Sequence, residues 1–257
     1  MLREWRAARG LSQLALSIEA GVSARHLSFI ETGRATPSRE MVLSLAEHLE
    51  VPLRDRNALL EAAGFAAVYR ETPLDAASMT DVHEALRHML EASEPNPTFV
   101  VNRRYDILMA NDAAVRFLSY FAPAWRGKNN VALVLAAPTG LRPAIVNWDH
   151  VARYVFHHMR AELQALHERS AADEEMLAHA LAIEAELPKA PVKARGPEVL
   201  VPVQIRRGEV ALELFTTITT LGTPLDITLQ ELRIETLFAA NAASRKALAE
   251  LPDDDAD

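Results

Sequence analysis

Between Leu2 and Gly64 apolar side chains recur every three or four positions in short bursts. Most bursts open on a small hydroxyl residue and close on glycine, which is how short amphipathic helices are punctuated. Leu2 to Arg9 is the first predicted helix, with Leu2, Trp5 and Arg6 at helical spacing and Gly10 ending it. Ser12 opens a second through Ala20, ended by Gly21. Ser23 opens a third, whose inward face carries Leu27 and Ile30, ended by Gly33. Thr36-Pro37-Ser38 turns into a fourth, Arg39 to Leu49, with Met41, Leu45 and Leu49 four apart. Val51-Pro52 breaks it, and a fifth runs from Leu53 to Ala63. Tyr69 to Leu74 reads as a linker.

The pattern then changes. A helix is expected over Thr80 to Ala92. A hairpin follows, with strands Thr98–Asn102 and Tyr105–Ala110 around Arg103-Arg104. Asn111 or Asp112 can cap a helix to Leu118. Further helices are expected over Asn129–Ala136, Trp148–Glu168 and Asp173–Glu186, before a loop marked by Pro188, Pro191 and Pro197. Three strands come next. Val199 to Arg207 points Val199, Val201, Val203 and Ile205 inward. Val210 to Leu221 puts Val210, Leu212, Leu214, Thr216 and Ile218 on one face. Ile227 to Phe238 puts Leu232, Ile234 and Phe238 on one face. Asn241 to Leu251 closes the chain as a helix, before an acidic tail, Asp253 to Asp257. The expected fold class is α+β: an all-helical five-helix domain over residues 1–70, joined to a domain over 71–257 with an antiparallel sheet of about five strands and inserted helices.

Composition narrows the chemistry. The 257 residues include no Cys, which removes disulfides, thiol nucleophiles, thiolate zinc sites and cysteine-bound clusters. No apolar run reaches the ~18 residues of a membrane span, and the start has no signal-peptide stretch, so a soluble cytoplasmic protein with no membrane partner is expected. The nine His form no HExxH, and His157-His158 point about 100° apart on a helix. With no Gly-rich phosphate loop and no Gly-x-Ser-x-Gly, an enzyme is not expected; neither is a metal or a cofactor. Net charge is −8, but residues 1–39 hold six Arg against three Glu. The other 218 residues therefore carry 21 basic and 32 acidic groups. A basic end on an acidic body suggests a module facing a polyanion.

The stretch Leu11-Ser12-Gln13 … Ala20-Gly21-Val22-Ser23 … Leu27-Ser28-Phe29-Ile30-Glu31-Thr32-Gly33 resembles the helix-turn-helix of the Cro/repressor-type (xenobiotic-response-element) family. Gly21 permits the positive φ of the tight turn, and Leu16, Val22, Leu27 and Ile30 form a shared core. Ser17 stands where most members have Ala. The resemblance implies double-stranded DNA as partner, with the third helix in the major groove and two copies of the chain on a palindromic operator. The DNA-contacting set it implies is Gln13, Ser23, Ala24, Arg25, His26, Ser28, Phe29, Thr32, Gly33, Arg34 and Arg39. Arg25 is the expected base reader, because its fork matches guanine O6 and N7. Phe29 is placed to pack on a thymine methyl. Gln13 aligns with a residue that touches backbone phosphate and braces the recognition helix, and Thr32, Gly33 and Arg34 stand where phosphate is met.

A wider resemblance covers nearly the whole chain. Ala24 to Arg34, Pro37 to Leu43, Arg56-Asn57, Ala62-Ala63-Gly64, Leu141-Arg142-Pro143, Val146-Asn147-Trp148, Phe215 to Pro224 and Leu229 to Glu235 are similar to the MmyB-like bacterial regulators. Members carry residues ahead of the first helix, whereas here Met1 abuts it. The family implies a PAS-like C-terminal domain that binds a small, apolar or fatty-acyl-like molecule. A bound fatty acid or similar lipid would occupy the space between sheet and helices. The apolar wall expected there is Phe99, Val101, Ile107, Met109, Phe117, Leu135, Ile145, Trp148, Val155, Met159, Leu212, Leu214, Thr216, Ile218 and Ile234, with Arg153, Tyr154 and His157 near the head group. The chain would then act as a homodimeric, ligand-responsive transcriptional regulator. The alternative is a constitutive dimeric DNA-binding regulator whose C-terminal domain only dimerises or docks a protein.

Overall fold

A computed structural model describes residues 1–166, 169–188 and 202–252. The expected strand positions Val199 and Val201, the loop prolines 191 and 197, the last residues of the helix drawn to Glu168 and the 253–257 tail lie outside the described residues. The chain divides into two units. One holds residues 1–73 and 222–230, and the other holds 74–221 and 231–257.

The first unit has helices α1 (Leu2–Ala8), α2 (Gln13–Glu19), α3 (Ala24–Glu31), α4 (Arg39–His48) and α5 (Leu53–Ala62). Ser12, Ser23 and Ser38 open α2, α3 and α4. Each hydroxyl accepts from the backbone N–H three residues on, at 3.0, 3.1 and 3.2 Å. Gly21 follows α2 with φ 65°. That left-handed residue lets Val22 N–H reach the Ser17 carbonyl at 2.9 Å and Gly21 N–H reach Ile18 at 3.3 Å, closing the helix. Gly33 does the same for α3, with Arg34 N–H on the Phe29 carbonyl at 2.8 Å. After α4 the left-handed position is filled by Glu50, φ 47°. Leu16, Leu27, Leu45, Leu49 and Leu60 are fully or almost fully buried and form the core. An ion pair lies beside it: Arg6 donates to both Glu31 carboxylate oxygens at 2.6 and 2.9 Å. Pro52 gives α5 no capping oxygen, and the amide oxygen of Gln230 accepts from Leu53 N–H at 2.7 Å instead. Asp226 holds Thr72 through its hydroxyl at 2.7 Å, and Ile227 N–H donates to the Arg70 carbonyl at 2.8 Å.

The second unit is built on an antiparallel sheet, β1 (Thr98–Val101), β2 (Ile107–Ala110), β3 (Val203–Arg207), β4 (Val210–Thr219) and β5 (Arg233–Ala239), in the order β2-β1-β5-β4-β3. The N-terminal hairpin thus joins the C-terminal meander along β1 and β5, where Phe99 faces Glu235. Helices α6 (Thr80–Ala92), α7 (Asp112–Phe121), α8 (Val131–Ala136), α9 (Trp148–Ala165) and α10 (Ala171–Glu186) surround it. Two asparagines set the helix starts. Asn111 caps α7 through Ala114 N–H at 2.9 Å and also accepts from Thr98 N–H at 3.0 Å, tying β1 to α7. Asn130 caps α8 and donates to the Arg104 carbonyl and the Asp106 carboxylate. Phe117, Phe121, Val134, Val151, Ile205, Leu212 and Leu214 pack between one sheet face and α7, α8 and α9, with Leu248 of the last helix, α12 (Ala242–Ala249).

Several expected bounds shift, with α7 running on to Phe121 and α9 ending at Ala165, and two of the shifts have a local cause. The helix expected from Asp173 begins at Ala171, because Ser170 and Asp173 form a reciprocal cap. The strand drawn from Ile227 begins only at Arg233. Ile227–Glu231 is a helical turn, α11, started by Asp226, whose carboxylate accepts from Thr228 N–H at 2.9 Å. A local side-chain cap outcompetes strand propensity there.

Candidate DNA interface and ligand cavity

In the helical unit α3 follows α2 through the Gly21 turn, the arrangement in which the second helix of the pair is presented outward. Arg25 is exposed, with its guanidinium 5.3 Å over the ring of half-buried Phe29. Ala24 and Ser28 lie one turn apart on α3, and Thr32 just past its end continues that face; His26 is half-buried. The Thr32 hydroxyl donates to the Ser28 carbonyl at 2.7 Å. The Ser23 hydroxyl is occupied capping α3. Exposed Gly33 and Arg34 follow Thr32, and exposed Arg39 opens α4. The guanidinium groups of Arg25, Arg34 and Arg39 make no hydrogen bond or ion pair to a described residue, so their charge is available. Gln13 stands at the start of α2, and its amide donates to Glu31 at 2.7 Å. It therefore braces α2 against the end of α3. Burial pushes the Glu31 carboxyl up, but the hydrogen bonds from Arg6 and Gln13 outweigh it and hold it below the ordinary range.

The second unit contains a cavity of about 260 Å³ between the sheet and α7, α8 and α9. Of the residues expected on its wall, the structure brings Phe99, Phe117, Leu135, Ile145, Tyr154, Val155, Thr216 and Ile218 to it. Tyr105, Leu118, Val131, Ala132, Val134, Leu141, Val151, His158, Val203, Ile205, Glu235 and Leu237 complete the wall.

The other expected wall residues stand elsewhere. Val101 and Ile107 belong to a cluster with Ala114, and Met109 is half-buried on β2, which is an edge strand of the sheet. Leu212 and Leu214 are closed over by their own contacts in the main core. Met159 is fully buried between α9 and α10. Trp148 fills the junction of two core clusters under Arg142, 5.0 Å above its ring. Ile234 is on the opposite sheet face, since its strand neighbours Arg233 and Glu235 share the face of Phe99 and Val101. Arg153 bonds the Pro188 carbonyl, and His157 pairs with Glu184 at 3.4 Å, so both point away along α9.

The wall is not uniform. Its deep part, Phe117, Val134, Leu141, Ile145, Val151 and Ile205, is buried and apolar. Its other end carries the exposed side chains Tyr154, His158, Thr216 and Ile218, which mark the mouth, and next to them Glu235. Glu235 is 9% exposed and none of its carboxylate oxygens is hydrogen-bonded to a described residue. Burial pushes it up to about 7. Burial also pushes the Tyr105 hydroxyl far above its usual range, so it stays protonated. Arg233 donates to Glu162 at 2.9 Å and to the Tyr105 hydroxyl at 3.3 Å, and His158 lies 3.1 Å from the same Glu162. The sequence signal for Glu235 was a lone acid in an apolar strand. Its facing depended on register, which alternation along β5 leaves open because both faces are largely buried.

Among the described residues no group of His, Asp and Glu could hold a metal ion, and no helix is long and apolar enough to cross a membrane. No curated protein matches the chain. A helix-turn-helix domain model matches residues 1–59. The model for the MmyB-like transcription regulator ligand binding domain matches residues 82–251, which include every described residue of the cavity wall. The helix-turn-helix match and the ligand-binding-domain match, the latter over more than half of the chain, place it in the family of MmyB-like transcription regulators, DNA-binding proteins with a ligand-binding domain.

Proposed function

We propose that this regulator senses a small, apolar or fatty-acyl-like molecule in the cavity and changes its affinity for DNA in response. One observation carries the reading: an apolar space of about 260 Å³ with a buried deep end and a polar mouth. Apolar cavities of this kind are lost stability unless something fills them. The strand order, with the hairpin joined to the meander through β1 and β5, supports a PAS-like description of this domain.

On the DNA side, Arg25 reads a guanine, and Arg34, Arg39 and the Thr32–Gly33 backbone meet phosphate. Phe29 supplies an apolar surface beside Arg25. Gln13 acts through Glu31 as a positioning residue for α3. A helix of eight residues reads only a few base pairs, so the chain works as a homodimer on a palindromic operator, with half-sites one DNA turn apart. A regulator of this kind works where the DNA is, in the cytoplasm. A chain-level route for the response exists. β4 carries Thr216 and Ile218 to the cavity and β5 carries Glu235, and the segment that joins them, Gly222–Gln230, belongs to the helical unit.

The test is a native mass spectrum of purified protein, with solvent extraction of what it holds, followed by operator-binding titrations with and without that compound. A stoichiometric acyl compound that shifts operator affinity is the expected result. A protein that carries and accepts no small apolar molecule would refute the sensor and leave a constitutive DNA-binding dimer.

A further inference from the structure

The cavity holds one feature that an apolar pocket does not need. Glu235 stands on β5, opposite Ile218 of β4 and Phe99 of β1, on the sheet face that lines the cavity. It is 9% exposed, and nothing among the described residues hydrogen-bonds its carboxyl oxygens. Its carboxyl oxygens are not among the fully buried polar atoms, so an acceptor with no partner among the described residues is open at the wall of the space that a ligand would occupy. The cation nearest in sequence, Arg233, is already engaged. It is bonded to Glu162 of α9 at 2.9 Å and to the Tyr105 hydroxyl at 3.3 Å, and its guanidinium lies 5.6 Å from the centre of the Tyr105 ring. Tyr105 uses its oxygen to accept from Arg233, which leaves its own O–H to donate. The charged and titratable groups that face this end are therefore Arg233 on β5, Glu162, His158 and Tyr154 on α9, and Tyr105 on the β1–β2 turn. β1 and β4 contribute Phe99, Ile218 and the neutral Thr216.

We infer that this end of the cavity recognises an uncharged, hydrogen-bond-donating head group, the hydroxyl or amide of an acyl-chain amphiphile, with Glu235 as its acceptor and Tyr105 as its donor, and that it disfavours a carboxylate head. This rests on the reading of the cavity as an acyl-chain site. A hydroxyl or amide both donates and accepts, so it satisfies the acid and the phenol together. A carboxylate brought beside Glu235 has no proton to donate, finds Arg233 neutralised by Glu162, and leaves two carboxylates facing each other in a largely apolar cavity. The tail enters first, toward Val134, Ile145 and Val151, and the head remains at the mouth beside His158 and Tyr154.

The experiment compares three probes of one chain length, 1-dodecanol, dodecanamide and dodecanoate. Each is titrated calorimetrically below its micelle concentration into the full chain and into Glu235→Gln, at pH 8.5 and at pH 6. For the unaltered chain at pH 8.5 the alcohol and amide are expected to bind at least tenfold more tightly than dodecanoate. Lowering the pH to 6 narrows the gap, because a protonated Glu235 can donate to the carboxylate. In Glu235→Gln the gap narrows at both pH values and loses its pH dependence. Dodecanoate binding as tightly as the alcohol to the unaltered chain at pH 8.5 overturns the head-group assignment and leaves the acyl-chain site standing. So does a gap that Glu235→Gln leaves unchanged. If none of the three probes binds, the acyl-chain reading itself fails and the head-group assignment falls with it. The comparison within the unaltered chain stands even if the variant folds poorly.

Discussion

The Arg6–Glu31 pair offers the sharpest energetic test of the helical unit. Glu31→Ala removes the two hydrogen bonds from Arg6 at 2.6 and 2.9 Å and the one from Gln13 at 2.7 Å. The Glu31 side chain is 1% exposed and that of Arg6 12%, so Arg6 is left nearly dry. It retains one bond, to the Leu11 carbonyl at 2.8 Å. Removing one partner of a buried pair costs ~3–5 kcal/mol, and the remaining carbonyl bond and slight solvent access put this case near the lower end, about 3 kcal/mol. In a unit of this size that lowers Tm by about 12–24 °C. The double variant Arg6→Leu, Glu31→Leu should lose less than Glu31→Ala alone, since no buried charge is then stranded. The assay is scanning calorimetry of the full chain, with urea unfolding followed by far-ultraviolet circular dichroism. A loss under about 1 kcal/mol for Glu31→Ala, the value of a surface pair, would refute the argument. So would a double variant as unstable as the sum of its parts.

Three further outcomes follow from the same geometry. The Glu31 carboxyl is lowered in the folded state, so its contribution is full above about pH 4.5 and is lost as pH falls through its folded value, whereas Glu235 is raised to about 7, so its carboxyl favours folding below about pH 4.5 and costs stability as pH rises through 7. Glu235→Gln should then stabilise the sheet unit by ~2–3 kcal/mol at pH 8 and by little at pH 4, read as the pH dependence of Tm, and a gain equal at both would count against it. Arg25→Ala should cost ~1–3 kcal/mol of discrimination at one base pair, whereas Arg34→Ala should weaken all sequences alike and reduce the salt slope by about 1; discrimination unaffected by Arg25→Ala would remove it as a base reader. Glu50→Gly should stabilise the helical unit by about 0.5–1 kcal/mol, because glycine adopts φ 47° without strain; a denaturation midpoint that falls would show that the Arg9 contact to this residue matters more.

Short-range physics is what could be read along the chain. A serine hydroxyl caps the helix that starts beside it, and glycine tolerates the left-handed turn that ends one. Ser12, Ser23, Ser38, Gly21 and Gly33 therefore placed α2, α3 and α4 within a residue or two. Thr80–Ala92 was legible from its periodicity, and period-two alternation gave the cavity-facing sides of β3 and β4, including Ile205, Thr216 and Ile218. The tertiary structure decided what depends on partners distant in the chain. Alternation cannot separate core from cavity wall: Met159 and Leu214 are as apolar as Val155 and Ile145, and only the elements facing them close over the first pair and leave space before the second. Nor could it orient β5, which is buried on both faces and takes its facing from pairing with β1 and β4. That pairing turns Glu235 into the cavity and Ile234 out of it. The helical turn at Ile227–Glu231 and the cap that Gln230 gives to Leu53 belong to the same class, because hydrogen bonds across 177 residues leave no trace in local pattern. Local hydrogen bonding and periodicity act over one or two turns of chain, whereas cavities, buried charges and long-range caps exist only once the chain has closed on itself.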